Sequence, residues 1–246
     1  MAIIKNLMKR IGIIGGIGPE STIEYYRLII KRYQERLKTN NYPDVIISSI
    51  NMTEMLGHII TNQLDRLVDF MVEKIEALER TGVDYIAIAS NTPHIVFDSI
   101  SERVRTPLVS IVEETCSVVL DRKIKKVGLL GTKSTMTNGF YQIVAKRNGI
   151  EMVIPTVEQQ DYIHTKYMSE LLFNRILPET KEQLIRIVLE LQEKGTIEGL
   201  ILGGTELPLI LKQTDFSDIE IFDTTIIHVE SIVDRLLDKN TVLTTF

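Results

Sequence analysis

The feature that most constrains the fold of this chain is an internal duplication, at a spacing of about 115 residues. The segment KRIGIIGGIGPEST resembles KKVGLLGTKSTMTNGFY, with Gly12 opposite Gly128. Further along, Gly82 in ERTGVD stands opposite Gly195 in QEKGTIE at nearly the same spacing. Correspondences that share one offset indicate two homologous halves with the same order of secondary-structure elements.

Each half alternates short Val/Ile/Leu-rich runs with longer amphipathic helical patterns, which is typical of βαβ units with parallel strands. The predicted fold class is α/β, with two pseudo-symmetric doubly wound parallel-sheet domains facing one cleft, outside the carboxyl ends of the strands. The first α/β domain is predicted to span 1–110 plus 222–246, and the second 111–221. The predicted strands are 10–14, 45–50, 85–89, 109–111, 126–130, 151–154, 200–202 and 219–222. The predicted helices are 19–35, 63–80, 111–122, 137–148, 161–176, 180–194 and 226–237.

Composition and charge narrow the classes of function. The 246 residues carry a formal net charge of −5 and no basic stripe, which argues against nucleic acid as a partner. The single cysteine, Cys116, excludes an intramolecular disulfide, and no pair of histidines has metal-ligand spacing. No apolar run reaches the length of a transmembrane helix. We therefore expect a cytoplasmic protein with no metal and no membrane partner.

Two apolar runs end abruptly in polar turns, as buried parallel strands do where they deliver residues to a site. They are VDYIAIASNTPH and IEGLILGGTELP, and they place Ser90 opposite Gly204. The turns continue with Asn91 and Thr92 in the first and with Thr205 and Glu206 in the second. Hydroxyl and amide groups of this kind can bind the carboxylate and amino group of a small zwitterion. Turn residues that satisfy their own local hydrogen bonds are the alternative.

Two further turns follow the first strand of each half. GGIGPEST contains Gly16 and opens a helix, which is a context for anion binding by backbone amides. A tight turn that simply requires glycine explains it equally well. GTKST offers the hydroxyls of Thr132 and Thr135 and could hold a carboxylate. Alternatively, Ser134 or Thr135 could only cap the following helix.

Two titratable residues accompany the strand-end turns. Glu206 could pair with an ammonium group or orient a neighbour, and the alternative is a surface glutamate in a turn. His94 could donate a hydrogen bond to a group at the strand end, although a lone histidine is more often structural than catalytic.

The motifs GGIGPEST, SNTPH, LLGTKST, GGTELP and FDTTIIH, in this order, resemble the aspartate/glutamate racemase family over nearly the whole chain. The resemblance implies a two-domain α/β fold, no cofactor, and racemisation of an amino acid by two bases. In that family one cysteine precedes Asn-Thr and another precedes Thr-Glu or Thr-His, and the two thiols exchange the α-proton on opposite faces.

The resemblance assigns Ser90 and Gly204 to the two catalytic cysteine positions, with Glu206 beside the second. It implies substrate binding by Asn91, Thr92, Thr132, Thr135 and Thr205, and a supporting position for His94. Gly16, in the turn GGIGPEST, is a further candidate for substrate binding. A serine hydroxyl is a poor base without a partner, and Gly204 has no side chain. A water in the space left by Gly204, oriented by Glu206, would have to serve the second face.

Three functions follow as hypotheses. The first is a cofactor-independent amino-acid racemase, an isomerase weakened by the loss of both thiols. The second is a one-base carbanion enzyme of the same superfamily, such as a decarboxylase, and the third is a non-catalytic protein that binds an amino acid or dicarboxylate. A homodimer is one expected assembly. Ser90→Cys together with Gly204→Cys is predicted to create or raise racemase activity.

Overall fold

A computed structural model describes residues 9–237 of the chain. The described residues group into two compact units. The first unit comprises residues 9–89, 98–109 and 229–237, and the second comprises 90–97 and 110–228. The domain limits from the sequence differ in the segments 90–97 and 222–228 and at residue 110, and they stay a prediction. Their parts 1–8 and 238–246 lie outside the described residues.

The first unit contains a four-stranded parallel sheet in the order β2-β1-β3-β4. Its strands are β1 (Arg10–Gly15), β2 (Asp44–Ser49), β3 (Tyr85–Ile88) and β4 (Leu108–Val109). Its helices include α1 (Pro19–Leu37), α2 (Met52–Ile60), α3 (Leu64–Glu79) and α4 (Phe97–Ser101), and α11 (Thr224–Leu237) supplies its C-terminal part to this unit. Ile and Tyr side chains of β1 and α1 form a core with the end of α11.

The second unit repeats the same topology, with a parallel sheet in the order β6-β5-β7-β8. Its strands are β5 (Lys126–Gly131), β6 (Glu151–Val153), β7 (Gly199–Gly203) and β8 (Glu220–Asp223). Its helices are α5 (Ile111–Asp121), α6 (Lys133–Thr137), α7 (Phe140–Arg147), α8 (Val157–Ser169), α9 (Pro178–Gly195) and α10 (Leu207–Ile210). Matching strand orders confirm the α/β class and the duplication inferred from the repeat.

Burial explains why the central strands read as continuous apolar runs. Every residue of β7, GLILG, is buried, and five of the six residues of β5 are buried as well. A parallel strand covered by helices on both faces has no solvent face, so its sequence does not alternate between apolar and polar residues. These strands deliver their carboxyl ends to fixed positions, where the polar turns begin.

All eight predicted strands are present, whereas the short helices α2, α4, α6 and α10 were not predicted. The predicted helix 137–148 begins later, at Phe140 in α7, because Gly139 adopts a left-handed conformation after α6. The predicted helix 161–176 instead begins at Val157, after a capping box formed by Thr156 and Gln159, and ends at Ser169. Among residues 9–237, no helix combines the length and apolar character needed to cross a membrane.

Candidate functional site

The predicted site residues lie at the carboxyl ends of four strands, and all but one belong to the second unit. The turn after β3 carries Ser90, Asn91, Thr92 and His94, and this turn makes its contacts with the second unit. The turn after β5 carries Thr132 and Thr135, and the turn after β7 carries Gly204, Thr205 and Glu206. Gly16 lies after β1 in the first unit.

Asn91 is the centre of a buried hydrogen-bond network. The Tyr141 hydroxyl donates to Asn91 Oδ1 at 2.5 Å, and Asn91 Nδ2 donates to Thr224 Oγ1 at 3.2 Å. The Thr224 hydroxyl in turn donates to the backbone oxygen of Leu202 in β7 at 2.9 Å. These bonds fix which way the amide faces and join the turn after β3 to the end of β7. Because the amide nitrogen carries two hydrogens, Asn91 retains a donor for a ligand.

A row of three threonine hydroxyls links the turns after β3 and β5. Thr92 Oγ1 lies 3.3 Å from Thr132 Oγ1, which lies 3.0 Å from Thr135 Oγ1. Thr132 also caps α6 by accepting a hydrogen bond from the backbone amide of Thr135 at 3.2 Å. A helix cap is therefore present in GTKST, but the capping residue is Thr132 rather than the Ser134 or Thr135 expected from the sequence. Since each hydroxyl can donate or accept, the row can adapt to a carboxylate or an ammonium group.

His94 anchors the turn after β3 to the start of α5. The backbone amide of Ile111 donates to His94 Nε2 at 3.3 Å, and the imidazole stacks on Phe97 with ring centroids 4.9 Å apart. Nε2 is thus an acceptor, which places the proton of the neutral ring on Nδ1. Nδ1 has no hydrogen-bond partner within residues 9–237, so the donation expected from the sequence is absent in this geometry.

Burial lowers the pKa of His94 to about 3, and repulsion from His228 acts in the same direction. The backbone oxygens of Ser90 and Asn91 partly offset this effect, although neither reaches hydrogen-bond geometry with Nδ1. The imidazole is therefore neutral at physiological pH and serves as a structural acceptor.

Ser90 is 7% exposed and stands at the end of β3 without an imidazole base. His94 does not take the proton of the Ser90 hydroxyl, because its Nε2 is bonded to Ile111 and its Nδ1 is bonded to none of the described residues. A serine without a base to receive its proton is a weak nucleophile and a weak base. The Ser90 hydroxyl can still donate or accept a hydrogen bond.

The space beside Gly204 is filled by the side chain of Tyr167. A Cβ atom built on Gly204 would lie 2.5 Å from Tyr167 Cε2 and 2.8 Å from its hydroxyl oxygen. Non-bonded carbon atoms do not approach this closely, so any side chain at position 204 must displace the ring. The expectation of a water in the space left by Gly204 is therefore wrong, because an aromatic ring takes that volume. Gly204→Cys is likewise not accommodated while Tyr167 keeps its position.

Glu206 is buried and orients this tyrosine. The hydroxyls of Tyr167 and Thr205 both donate to Glu206 Oε2, the latter at 2.9 Å. Glu206 is 3% exposed, which excludes the alternative of a surface glutamate in a turn. Burial raises the pKa of Tyr167 well above its usual value, and the neighbouring Glu206 carboxylate raises it further. Tyr167 is therefore a protonated donor across the physiological range.

Gly16 is engaged within its own turn. Its φ angle of 82° is left-handed, and a Cβ atom there would lie 2.4 Å from the backbone oxygen of Ile50, so only glycine fits. Its amide donates to the Thr22 hydroxyl at 2.8 Å. These contacts account for the glycine through the turn alone. Binding of substrate by Gly16 stays a prediction.

The structure adds Tyr141, Tyr167 and Thr224 to the residues chosen from the sequence. Tyr167 lies on α8, far from the polar turns in sequence, and no motif marks it. Tyr141 ends the repeat segment KKVGLLGTKSTMTNGFY, but nothing in the sequence assigns a role to its hydroxyl. Thr224 stands in FDTTIIH, a motif that the sequence did single out, but without a role for its hydroxyl. In the described part of the chain, no group of three or more His, Cys, Asp or Glu side chains is arranged to hold a metal ion.

Fold and site together define a duplicated parallel α/β protein that gathers hydroxyl, amide and carboxyl groups at its strand ends. A model of the Asp/Glu/hydantoin racemase family matches residues 14–232. The broad specificity amino-acid racemase RacX of Bacillus subtilis (strain 168) is 30% identical over 182 residues, covering 68% of this chain and 79% of the relative. The chain belongs to the Asp/Glu/hydantoin racemase family.

Solved structures agree with this assignment. An aspartate racemase homologue from Pyrococcus horikoshii OT3 has a TM-score of 0.82 and 38% identity, with 94% of this chain and 100% of that chain covered. The glutamate racemase from Aquifex pyrophilus shares the fold, with a TM-score of 0.61 at 21% identity, over 92% of this chain and 83% of that one.

Proposed function

We propose that the protein is an amino-acid racemase-type isomerase that moves a proton at the α-carbon of a small amino acid without a cofactor. Family membership supports this reaction class. The observation that carries the proposal is the hydrogen-bond network that gathers three strand-end turns in the second unit, through Asn91, Thr224 and the threonine row. A small zwitterion is the ligand whose groups match such a set of uncharged donors and acceptors.

The residues proposed to bind the ligand are assigned from the polar groups that each of them presents. Asn91 has a spare amide hydrogen, and Thr92 and Thr132 present hydroxyls in the same row. Thr135 is buried beneath them and holds Thr132 in place. Thr205 is half-buried and adjoins the Glu206 carboxylate. These neutral groups do not select for the charge of a substrate side chain, so the substrate class is a small amino acid or dicarboxylate.

Proton transfer would be weak on the face that Ser90 serves. Its hydroxyl has no imidazole to take up the proton, so it acts as a donor rather than as a base. This observation favours a second candidate function, a one-base carbanion enzyme that protonates or deprotonates a single face, as a decarboxylase does. A homodimer and the absence of a cofactor remain proposals for either function.

Exchange in heavy water distinguishes these functions. The protein would be incubated with single amino acids of each hand, with the α-proton signal followed by nuclear magnetic resonance and the product resolved by chiral chromatography. Exchange with inversion is the expected result for a racemase, whereas exchange with retention indicates one-base chemistry. If no amino acid exchanges its α-proton but some raise the melting temperature, the enzymatic proposals fail and a binding protein remains.

A further inference from the structure

The contact between Gly204 and Tyr167 places a phenol where the resemblance to the family implies the second thiol. The Tyr167 oxygen lies 2.8 Å from the position of a Cβ at residue 204. A cysteine sulfur would extend about one bond length beyond that Cβ, so the phenol and the expected thiol compete for neighbouring volume. The position without a side chain at residue 204 thus has another proton-bearing group beside it.

Tyr167 also has a partner able to take up its proton. Its hydroxyl donates to Glu206 Oε2, and the Thr205 hydroxyl donates to the same oxygen and holds it in place. A carboxylate that accepts a hydrogen bond from a hydroxyl can receive the proton that the hydroxyl releases. The hydroxyl can then act in general acid–base catalysis, although alone it is a weak acid and a weak base. Ser90 lacks such a partner in His94, whereas Tyr167 has one in Glu206.

We propose that Tyr167 and Glu206 form the acid–base pair that replaces the second thiol. In the forward step the bond between the α-carbon and its hydrogen breaks, and the electron pair stays on the substrate as a carbanion conjugated with its carboxylate. The released proton bonds to the Tyr167 oxygen while the phenolic proton moves to Glu206. The reverse step returns the Glu206 proton to Tyr167 and the Tyr167 proton to the α-carbon, so protons and electrons balance.

The proposed acid–base pair accounts for two features that packing of Tyr167 against its neighbours does not explain. The first is the burial of a carboxylate whose oxygen accepts two hydroxyl donors at the end of a strand. The second is that glycine at 204 leaves the phenolic edge of Tyr167 uncovered by a Cβ. The inference rests on the proposed function, since it names the group that serves one face of the same substrate.

The test is Tyr167→Phe, which removes the hydroxyl and keeps the ring that fills the space beside Gly204. Tyr162→Phe is the matched control, because Tyr162 lies on the same helix α8 and packs partly buried against the same core. Glu206→Gln is the second variant, since the amide oxygen can still accept from Tyr167 but cannot take up a proton. Each variant would be assayed for α-proton exchange with both hands of the best wild-type substrate, and for ligand-dependent thermal stabilisation.

In Tyr167→Phe, the rate of α-proton exchange with one enantiomer is expected to fall at least 100-fold, in line with the contribution of general acid–base catalysis. The ligand should still raise the melting temperature of this variant. Glu206→Gln is expected to lose at least 10-fold with the same hand, and Tyr162→Phe to match the wild type. Exchange by Tyr167→Phe within threefold of the wild type for both hands overturns the pair while the proposed function stands. Absence of exchange in the wild type itself overturns both.

Discussion

Gly204→Ala tests the closest contact of the candidate site. The added Cβ would lie 2.5 Å from Tyr167 Cε2 and 3.0 Å from Cζ, so the ring must move away from β7. Overpacking of a buried site typically destabilises a protein by about 1–3 kcal/mol. Displacing the phenol also breaks its hydrogen bond to the Glu206 carboxylate, and bonds to charged groups contribute about 1.5–3 kcal/mol. Because the ring can relax in part, we expect a loss of about 3 kcal/mol in the free energy of unfolding.

A double-mutant cycle isolates the contact from other effects of the substitution. In a Tyr167→Leu background the ring edge is gone, so Gly204→Ala should cause little further loss. The resulting coupling free energy should be about 2–3 kcal/mol, at the upper end of the range for residues in contact. Urea unfolding followed by far-ultraviolet circular dichroism measures all four proteins. Gly57→Ala in α2 is the control, because nothing lies within 4 Å of its added Cβ and alanine favours a helix by about 0.5–1 kcal/mol.

Two results would refute this reasoning. A loss below about 0.5 kcal/mol for Gly204→Ala would show that the ring yields freely, since surface substitutions without structural consequence fall in that range. An equal loss in the wild-type and Tyr167→Leu backgrounds would show that Tyr167 is not what excludes a side chain from position 204.

Three further predictions concern buried side chains of the second unit. Because the pKa of His94 is about 3 in the fold against 6.5 when exposed, the unfolded state alone binds a proton between these values, so stability should fall by about 1.4 kcal/mol per unit as pH drops below 6.5. His94→Asn should flatten this dependence in urea titrations at pH 7.5 and 5, and an unchanged slope would contradict it. Burial raises the pKa of Cys116 to about 12, so iodoacetamide should label native protein at least 100-fold more slowly than urea-unfolded protein, by mass spectrometry. Tyr141→Phe leaves Asn91 Oδ1 without its donor and should lower the free energy of unfolding by about 1–3 kcal/mol; a change under 0.5 kcal/mol would mean the bond is dispensable.

The strands and their ends were predictable because the signal is local. Apolar runs such as those of β5 and β7 are bounded by glycines and polar turns, and the repeat places each run twice. Ser90, Asn91 and Thr92 follow β3 directly, so their position at a strand end needs no tertiary information. The helix α2 escaped prediction because its nine residues, MTEMLGHII, include a glycine and carry one buried side chain, Met55. So short a segment falls below the window of about 11–18 residues over which helical periodicity is recognised.

The environment of each site residue depends on tertiary packing and could not be predicted in the same way. Tyr167 meets Gly204 across 36 intervening positions only because α8 lies over the end of β7. The burial of Glu206 follows from that contact, whereas its sequence context in a turn suggests an exposed carboxylate. Whether His94 donates or accepts depends on the backbone amide of Ile111, which belongs to a separate helix. A sequence motif shows which polar side chains are present, but not which hydrogen-bond partners they have in the folded protein.

The contact at Gly204 changes what restoring the family's thiols requires. The sequence predicts that Ser90→Cys with Gly204→Cys creates or raises racemase activity, but the second cysteine would place its Cβ against the Tyr167 ring. Adding Tyr167→Ala removes the ring and opens a cavity into which a cysteine at 204 can project, although a truncation of this size destabilises a core by about 3–5 kcal/mol. We therefore expect inversion of an amino acid to rise in the triple variant and not in the double one, as measured by chiral chromatography. A double variant that folds with wild-type stability and racemises as well as the triple variant would show that Tyr167 does not block the second thiol, because the ring would then have to yield at no free-energy cost.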